Sequence, residues 1–357
     1  MPTNYLSKKE FFASANGYGG FRSYFDKIFV SREFERIFVL KGGPGTGKST
    51  LMKKVVDTLK NKELRIELFR CSSDKNSLDG VIANDGTRKV AIIDGTAPHE
   101  RDAVIPGAVD VIVNLGEAID SKFLTEHRNR IFKLNDLKRN SYLSAYQKLA
   151  KSAVFDNNIE AEIAYYIKEE NVIAKCDDII SSVLNIISSV NKSDGIRLIS
   201  SFSKDGYLSN QSFEESLSNC FTVSGEYGLD LIFMTILAKR IQAAGIPYVK
   251  LVSPLDEKKV EGIFFVESNT AIICKNGGNQ ICDAREYLSV NEKSAFFEKL
   301  KALEKCKKIY ESEAQNELII ASQSHFELEE IYTRAVNFDI VNAHTERIID
   351  YIIKIFI

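Results

Sequence analysis

The chain is short of several things, and each shortage narrows the function. It has no excess of charge of one sign: 47 basic residues stand against 49 acidic ones, a net charge of −2. Such a balance gives no global field that would draw nucleic acid or an anionic membrane. It has six cysteines (Cys71, Cys176, Cys220, Cys274, Cys282 and Cys306), none of them in C-x-x-C spacing. Neither a zinc site nor a disulfide framework is readable from that scatter, and buried free thiols in a reducing compartment are expected. It has no apolar run long enough to span a bilayer, and its start, MPTNYLSKKEFF, lacks the apolar stretch of a secretory signal. A cytoplasmic protein without a membrane partner is expected.

What is present is ordinary globular material around one unusual stretch. With 357 residues, 44% hydrophobic and 27% charged, the chain can bury a sizeable core and is long enough for two domains. The unusual stretch is Gly42-Gly43-Pro44-Gly45-Thr46-Gly47-Lys48-Ser49-Thr50. It fills the pattern G-x-x-x-x-G-K-[ST] between the apolar run Ile37 to Leu40 and a helical pattern from Leu51 onward. Glycines let successive backbone N–H groups turn inward around phosphate oxygens, and the helix that follows points its positive end at the same anion. Gly43, Gly45, Thr46, Gly47, Lys48, Ser49 and Thr50 are therefore the expected nucleotide contacts. The sequence gives no basis for choosing ATP over GTP, and ATP is the default nucleotide. Lys48 is expected on the β- and γ-phosphates, in a catalytic role, and the Ser49 hydroxyl on Mg²⁺.

Two further strands carry acids toward the same edge. Leu64 to Cys71 alternates and ends in the polar segment Ser72 to Gly80, which makes Asp74 and Asp79 candidates for a general base or a water-held metal contact. Turn or helix capping is the competing account of either acid. The run Val90-Ala91-Ile92-Ile93-Asp94 reads as a buried parallel strand whose last residue, Asp94, is the expected second Mg²⁺ contact. Gly95 and Thr96 follow, so the adjacent acid of many motor-type ATPases is missing. His99, in the loop beyond, is a candidate for sensing the γ-phosphate or touching a substrate, and Arg101 for stabilising transferred charge. Residues 11 to 21 read as a turn feeding a helix. The basic cluster Lys122, His127, Arg128, Arg130, Lys133, Lys138 and Arg139 reads as a solvated helix face from which one arginine could reach phosphates.

From about Leu134 to Val190 the apolar period is helical, with two or three antiparallel helices joined near Asp156-Asn157-Asn158. Beyond that an internal repeat emerges. Cys220 to Met234 overlies Ile37 to Leu51 at a constant offset, with Gly225 on Gly42 and Gly228 on Gly45. On that register Asp230, Leu231 and Ile232 replace Gly47, Lys48 and Ser49, and Cys274 replaces Asp94. An acid beside the loop and alkyl groups for the lysine and hydroxyl leave no site for a triphosphate. The expected fold is α/β, a P-loop NTPase-like parallel sheet flanked by helices and tandemly duplicated, each half followed by a helical arm. The expected divisions are 1–133 for an active P-loop core, 134–192 for its arm, 193–285 for a degenerate core and 286–357 for the second arm, with a junction near Ser189 to Ser193.

The stretches FVLKGGPGTGKSTLMKK, FRCSSDKNSLDGV, VAIIDGTAPH and AYQKLAKSA resemble a bacterial family, typical of spore-forming Gram-positive organisms, of duplicated P-loop proteins described only as ATPases or ATP-binding proteins. That resemblance implies ATP and Mg²⁺ at Gly42 to Thr50 and Asp94, used for hydrolysis or small-molecule phosphoryl transfer. Members of the family commonly keep a working phosphate loop in both halves, which this chain does not. A nucleotide-gated switch or assembly protein, acting on a small-molecule or protein partner, is the alternative expectation.

Overall fold

A computed structural model describes residues 7–60, 62–184, 195–290 and 295–356. The expected junction at Ser189 to Ser193 lies outside the described residues. The first half runs β1 (Ser7–Phe12), β2 (Ser14–Gly17), β3 (Gly20–Ser23), α1 (Phe25–Ile28), β4 (Arg36–Lys41), α2 (Lys48–Thr58), β5 (Arg65–Arg70), β6 (Leu78–Asn84), β7 (Lys89–Asp94), β8 (Asp110–Asn114), α3 (Ser121–Glu126), α4 (Arg128–Ala164) and α5 (Glu169–Leu184). The second half repeats it: β9 (Gly195–Arg197), β10 (Ser200–Ser203), β11 (Gly206–Ser209), α6 (Gln211–Glu215), β12 (Asn219–Ser224), α7 (Leu229–Ala243), β13 (Val249–Val252), β14 (Val260–Phe265), β15 (Thr270–Cys274), β16 (Asn279–Asp283), α8 (Ala295–Arg334) and α9 (Phe338–Phe356).

The duplication is visible in strand order. One six-stranded sheet runs β1-β5-β6-β7-β4-β8, and the other, among the described residues, runs β9-β13-β14-β15-β12-β16. Element for element these are the same sheet. Neither is the parallel sheet the sequence suggests, because β6 runs antiparallel to both β5 and β7, as β14 does to β13 and β15. Both inserted strands are buried nearly throughout, as LDGVIAN and VEGIFF. The acid–glycine pair at their start reads as a turn in one dimension, which hides the strand. Gly80 is needed because a Cβ there would stand 2.8 Å from the ring of Phe29. The segment read as a turn, 11 to 21, is likewise the end of β1 and the β2–β3 hairpin.

Both sheets carry the same irregularity. The β5–β6 register slips between Phe69 and Arg70, skipping Asp79, and the β13–β14 register slips between Leu251 and Val252, skipping Glu261. A bulge of this kind re-aims the side chain of the extra residue. In each half that residue is a buried acid.

The helical arms are exchanged between the halves. Helix α4, 37 residues, and α8, 40 residues, are each on the order of 55–60 Å long at 1.5 Å per residue. They lie antiparallel, tied by Lys148–Glu317 (2.6 Å), Ser152–Glu311 (3.3 Å) and Asp156–Lys307 (2.9 Å). Asp156 to Asn158 thus lie inside one continuous α4, and the expected helix junction falls at Tyr165 to Lys168 instead. The far end of α4 and helix α5 bury Ile159, Ile163, Val172 and Cys176 against Phe233 and Leu237 of α7, in the second half. Helix α9 buries Val341, Ile348 and Ile352 against Leu51, Met52 and Val55 of α2, in the first. Each fully buried side chain of this size contributes about 1.5–3 kcal/mol, so an arm tip is firmly held.

Reciprocal backbone bonds fix the exchange. Asp120 N donates to Ala335 O and Asn337 N to Ala118 O, both at 2.8 Å; Ser289 N donates to Tyr166 O and Lys168 N to Tyr287 O, again at 2.8 Å. Edge strands β1 and β9 meet where Phe12 N donates to Leu198 O (2.8 Å), over a shared core of Phe11, Phe69, Phe213 and Phe264.

Candidate functional site

The glycine stretch joins the carboxyl end of central strand β4 to the N-terminus of α2. Gly45 (φ +69°) and Gly47 (φ +84°) both sit in the left-handed region, where glycine alone is unstrained. Gly47 is the N-cap residue, with ψ 11°. The loop is braced from within by Thr46, whose buried hydroxyl donates to Gly43 O (2.8 Å). A Cβ on Gly42 would meet that hydroxyl at 2.7 Å.

Lys48 and Ser49 stand in the first turn of α2. Lys48 Nζ donates to Gly42 O and Gly43 O, both at 2.8 Å, and lies 3.6 Å from Asp94 Oδ2. Asp94, at the end of β7 and paired in register with Leu40 of β4, accepts at Oδ1 from the Thr96 N–H (2.9 Å) and hydroxyl (2.5 Å). Burial pushes its carboxyl above the usual range, and the Lys48 charge opposes that rise. Ser49 Oγ accepts from Leu78 N (3.0 Å), at the start of β6. Thr50 is exposed, one residue further along α2.

The bulge in β6 delivers Asp79 to this group. Asp79 is 4% exposed and its Oδ2 is 3.1 Å from His99 Nε2, an ion-pair contact whose angle falls short of a good hydrogen bond. His99, 6% exposed, stacks on Phe25 with ring centroids 4.9 Å apart. Burial alone lowers the His99 pKa, but the neighbouring Asp79 carboxylate overrides it and the net direction is upward. His99 Nδ1 is buried without a partner.

The candidate acids separate by placement. Asp74 closes its own turn: its oxygens accept from Asn76 N (3.1 Å) and Ser77 Oγ (2.9 Å). Asp79, Asp94, His99 and Lys48 instead form one electrostatic group, in which Lys48 and Asp79 act on Asp94, and Asp79, Asp94 and Lys48 act on His99. Arg101 lies apart, buried with Asp110 (3.7 Å), Ser31 (3.1 Å) and Phe25 O (3.3 Å), so it supports the fold rather than a transferred charge.

Two arm contributions escape a reading by sequence alone. Tyr142 of α4 shares a 3.0 Å hydrogen bond with Ser73. At the tip of α8, Tyr332 and Thr333 cover the glycine loop: a Cβ on Gly43 would stand 2.7 Å from the Tyr332 ring, and one on Gly45 2.5 Å from Thr333 Oγ1. The spacing of Tyr142 and Tyr146 marks a helix face, but which surface it meets depends on tertiary packing.

The second half shows the same strand–helix junction with other residues in it. Gly228 (φ 80°, ψ 9°) caps α7 as Gly47 caps α2. Four residues, Gly225 to Gly228, therefore do the work of six, and the uniform offset read from sequence fails inside the loop. In space Leu229 replaces Lys48 and Asp230 replaces Ser49, while Cys274 still stands in the register position of Asp94. Leu229 is fully buried. Burial pushes the Asp230 carboxyl up to about 6 and that of Glu261, the bulge acid, up to about 7, the latter opposed by hydrogen bonds from Ser200 and Tyr207.

A family model described as Nephrocystin 3, N-terminal, matches residues 23–83. That span holds β4, the glycine loop, α2, β5 and most of β6. No curated protein and no solved structure matches the chain.

Proposed function

We propose that the first half binds a nucleoside triphosphate, ATP by default, together with Mg²⁺, and hydrolyses it or transfers its terminal phosphoryl group. The observation that carries this reading is the cap of α2. A left-handed Gly47 opens the helix, Lys48 and Ser49 occupy its first turn, and Asp94 stands 3.6 Å from Lys48. Loop amides and a helix N-terminus suit a polyphosphate.

The residues present fit the metal. Ser49 and Asp94 supply a hydroxyl and a carboxylate, hard oxygen donors, and would hold Mg²⁺. Among the described residues no three of His, Cys, Asp and Glu converge as a metal cage. Mg²⁺ ordinarily takes one or two protein ligands and completes its shell with water and phosphate. When bound it neutralises charge on the β- and γ-phosphates. Lys48 would hold the same oxygens, and the loop amides would position them. Asp79 would keep His99 charged and oriented at the γ-phosphate side, where it can donate a proton or a hydrogen bond. The duplicated build suits the bacterial family of duplicated P-loop proteins that the sequence resembles, while the single phosphate loop departs from it. Six free thiols suit a reducing compartment such as the cytoplasm.

The test is ATP binding and turnover with Mg²⁺ by the whole chain and its Lys48→Ala variant. Loss of both in the variant supports the reading; equal binding by the two proteins overturns it. A second reading, a nucleotide-gated switch, rests on Tyr332 and Thr333, since the second arm touches the loop that would hold phosphate. Nucleotide-dependent protection of the α8 tip from hydrogen exchange, without turnover, would favour it. Turnover that appears only with one added metabolite would mark a small-molecule kinase.

A further inference from the structure

The exchanged arms allow the two sites to be compared residue by residue on the arm side. Ala145 and Leu149 of α4 pack with Ala314 and Leu318 of α8 in one cluster. Tyr146 lies against Gly20 in one hairpin and Gln315 against Gly206 in the other. The reciprocal backbone bonds of Asp120 with Ala335 and of Ser289 with Tyr166 keep the same correspondence. In that register Lys138 of α4 is the counterpart of Lys307 of α8.

Lys307 is surrounded by carboxylates. Its Nζ lies 2.9 Å from Asp156 and 3.6 Å from Glu304, and its charge acts on Glu311 and on Asp230, the residue in the place of Ser49. The residues that stand around Lys138 in the places of Asp156, Glu304 and Glu311 are His325 of α8 and Asn135 and Tyr142 of α4. None is an acid, and Ser49 faces the site in place of Asp230. Lys138 has no ion-pair partner among the described residues. Burial nonetheless lowers its pKa, so it is drawn in from solvent while Lys133 and Arg139 beside it are exposed.

The placement of Lys138 follows from its neighbours one turn away on the same face. Leu134 packs in a cluster with Leu328 and Tyr332, the ring that covers Gly43. Tyr142 bonds Ser73, beside the segment that leads to Asp79. Lys138 is therefore held above the space between the glycine loop and the end of β5.

We propose that Lys138 is an arm-borne phosphate ligand: it supplies positive charge to the terminal phosphate of a nucleotide in the Gly42–Gly47 loop, and the protein's own carboxylates fill that role at Lys307. This rests on the nucleotide reading of the loop. A cation left unpaired in one copy and neutralised in the other is the expected trace of an exogenous anion in the first copy alone. Charge-assisted contacts to phosphate of this kind change affinity by about tenfold or more.

Calorimetry of the whole chain with Mg²⁺ and either ADP or a non-hydrolysable ATP analogue tests it, with a thermal melt to confirm folding. Lys138→Met should weaken the triphosphate at least about tenfold and ADP less than about threefold, with Lys138→Arg close to the parent protein. If Lys138→Met binds both nucleotides as the parent does while Lys48→Ala binds neither, the lysine proposal falls and the loop reading stands. Equal losses for ADP and the triphosphate overturn the assignment to the terminal phosphate. If the parent protein binds no nucleotide, both readings fall together.

Discussion

His99 Nε2 stands 3.1 Å from Asp79 Oδ2, both side chains 6% exposed. The strand that carries Asp79 is the one hardest to see in the sequence, and its bulge turns the acid toward the histidine. Because the folded His99 pKa is raised, the pair contributes stability that is complete below the unfolded value near 6.5 and is lost as pH rises through the folded value. Proton NMR should show His99 titrating above 6.5. Asp79→Asn should bring that titration below 6.5 and destabilise the fold by about 3 kcal/mol at pH 6. An unchanged His99 titration in Asp79→Asn would show that the contact does not set its charge.

Lys48 and Leu229 occupy equivalent first-turn positions with opposite consequences. Lys48→Ala should abolish nucleotide binding. Leu229→Ala should leave affinity unchanged while lowering stability by about 2–5 kcal/mol, because a fully buried side chain leaves a cavity. Calorimetry should return one nucleotide per chain. Two would show that the loop of the second half is functional despite Leu229 and Asp230.

The Tyr332 ring lies where a methyl on Gly43 would have to go, at 2.7 Å. Gly43→Ala should therefore lower the melting temperature by displacing the α8 tip, by roughly 1–3 kcal/mol of overpacking. Tyr332→Ala in the same chain should recover part of the loss. A double-mutant cycle reads the coupling directly, and additive losses would mean that ring and loop do not meet.

Glu261 shares the direction of that pH dependence, but removing its charge has the opposite effect on stability. Its folded pKa, raised to about 7 from 4.5, means that its contribution is most favourable below 4.5 and declines as pH rises through 7. Glu261→Gln should stabilise the protein above pH 7, by up to about 3 kcal/mol, and have little effect at pH 4.5. Melts across that range decide it; equal effects at both ends would show that the buried carboxyl does not carry the shift.

How much of the fold was legible in one dimension depended on whether the signal was local. Strands β4, β5, β7 and β8 announce themselves as apolar or alternating runs, and the glycine loop by its spacing. Strand β6 does not, since Asp79-Gly80 mimics a turn and only the neighbours Phe29 and Phe69 explain the glycine. Asp156-Asn157-Asn158 mimics a helix break, yet Asp156 is held inside α4 by Lys259 and Lys307. The repeat was readable in the order of its elements, but its loop register was not, because Gly47 and Gly228 are matched by backbone angle rather than by count. Of the candidate site, Lys48, Ser49, Asp94, Asp79 and His99 converge, whereas the arm residues Tyr142, Tyr332 and Thr333 reach it only through long-range packing.

The crossing of the arms also constrains how the molecule comes into being. A growing polypeptide exposes the apolar flank of α2 from the moment the first sheet is made, and that flank is covered only when α9, at the far end of the second half, has left the ribosome. Severed at its midpoint, the chain would yield two fragments that each hold the other's missing wall, so they should regain order when mixed and aggregate when kept apart.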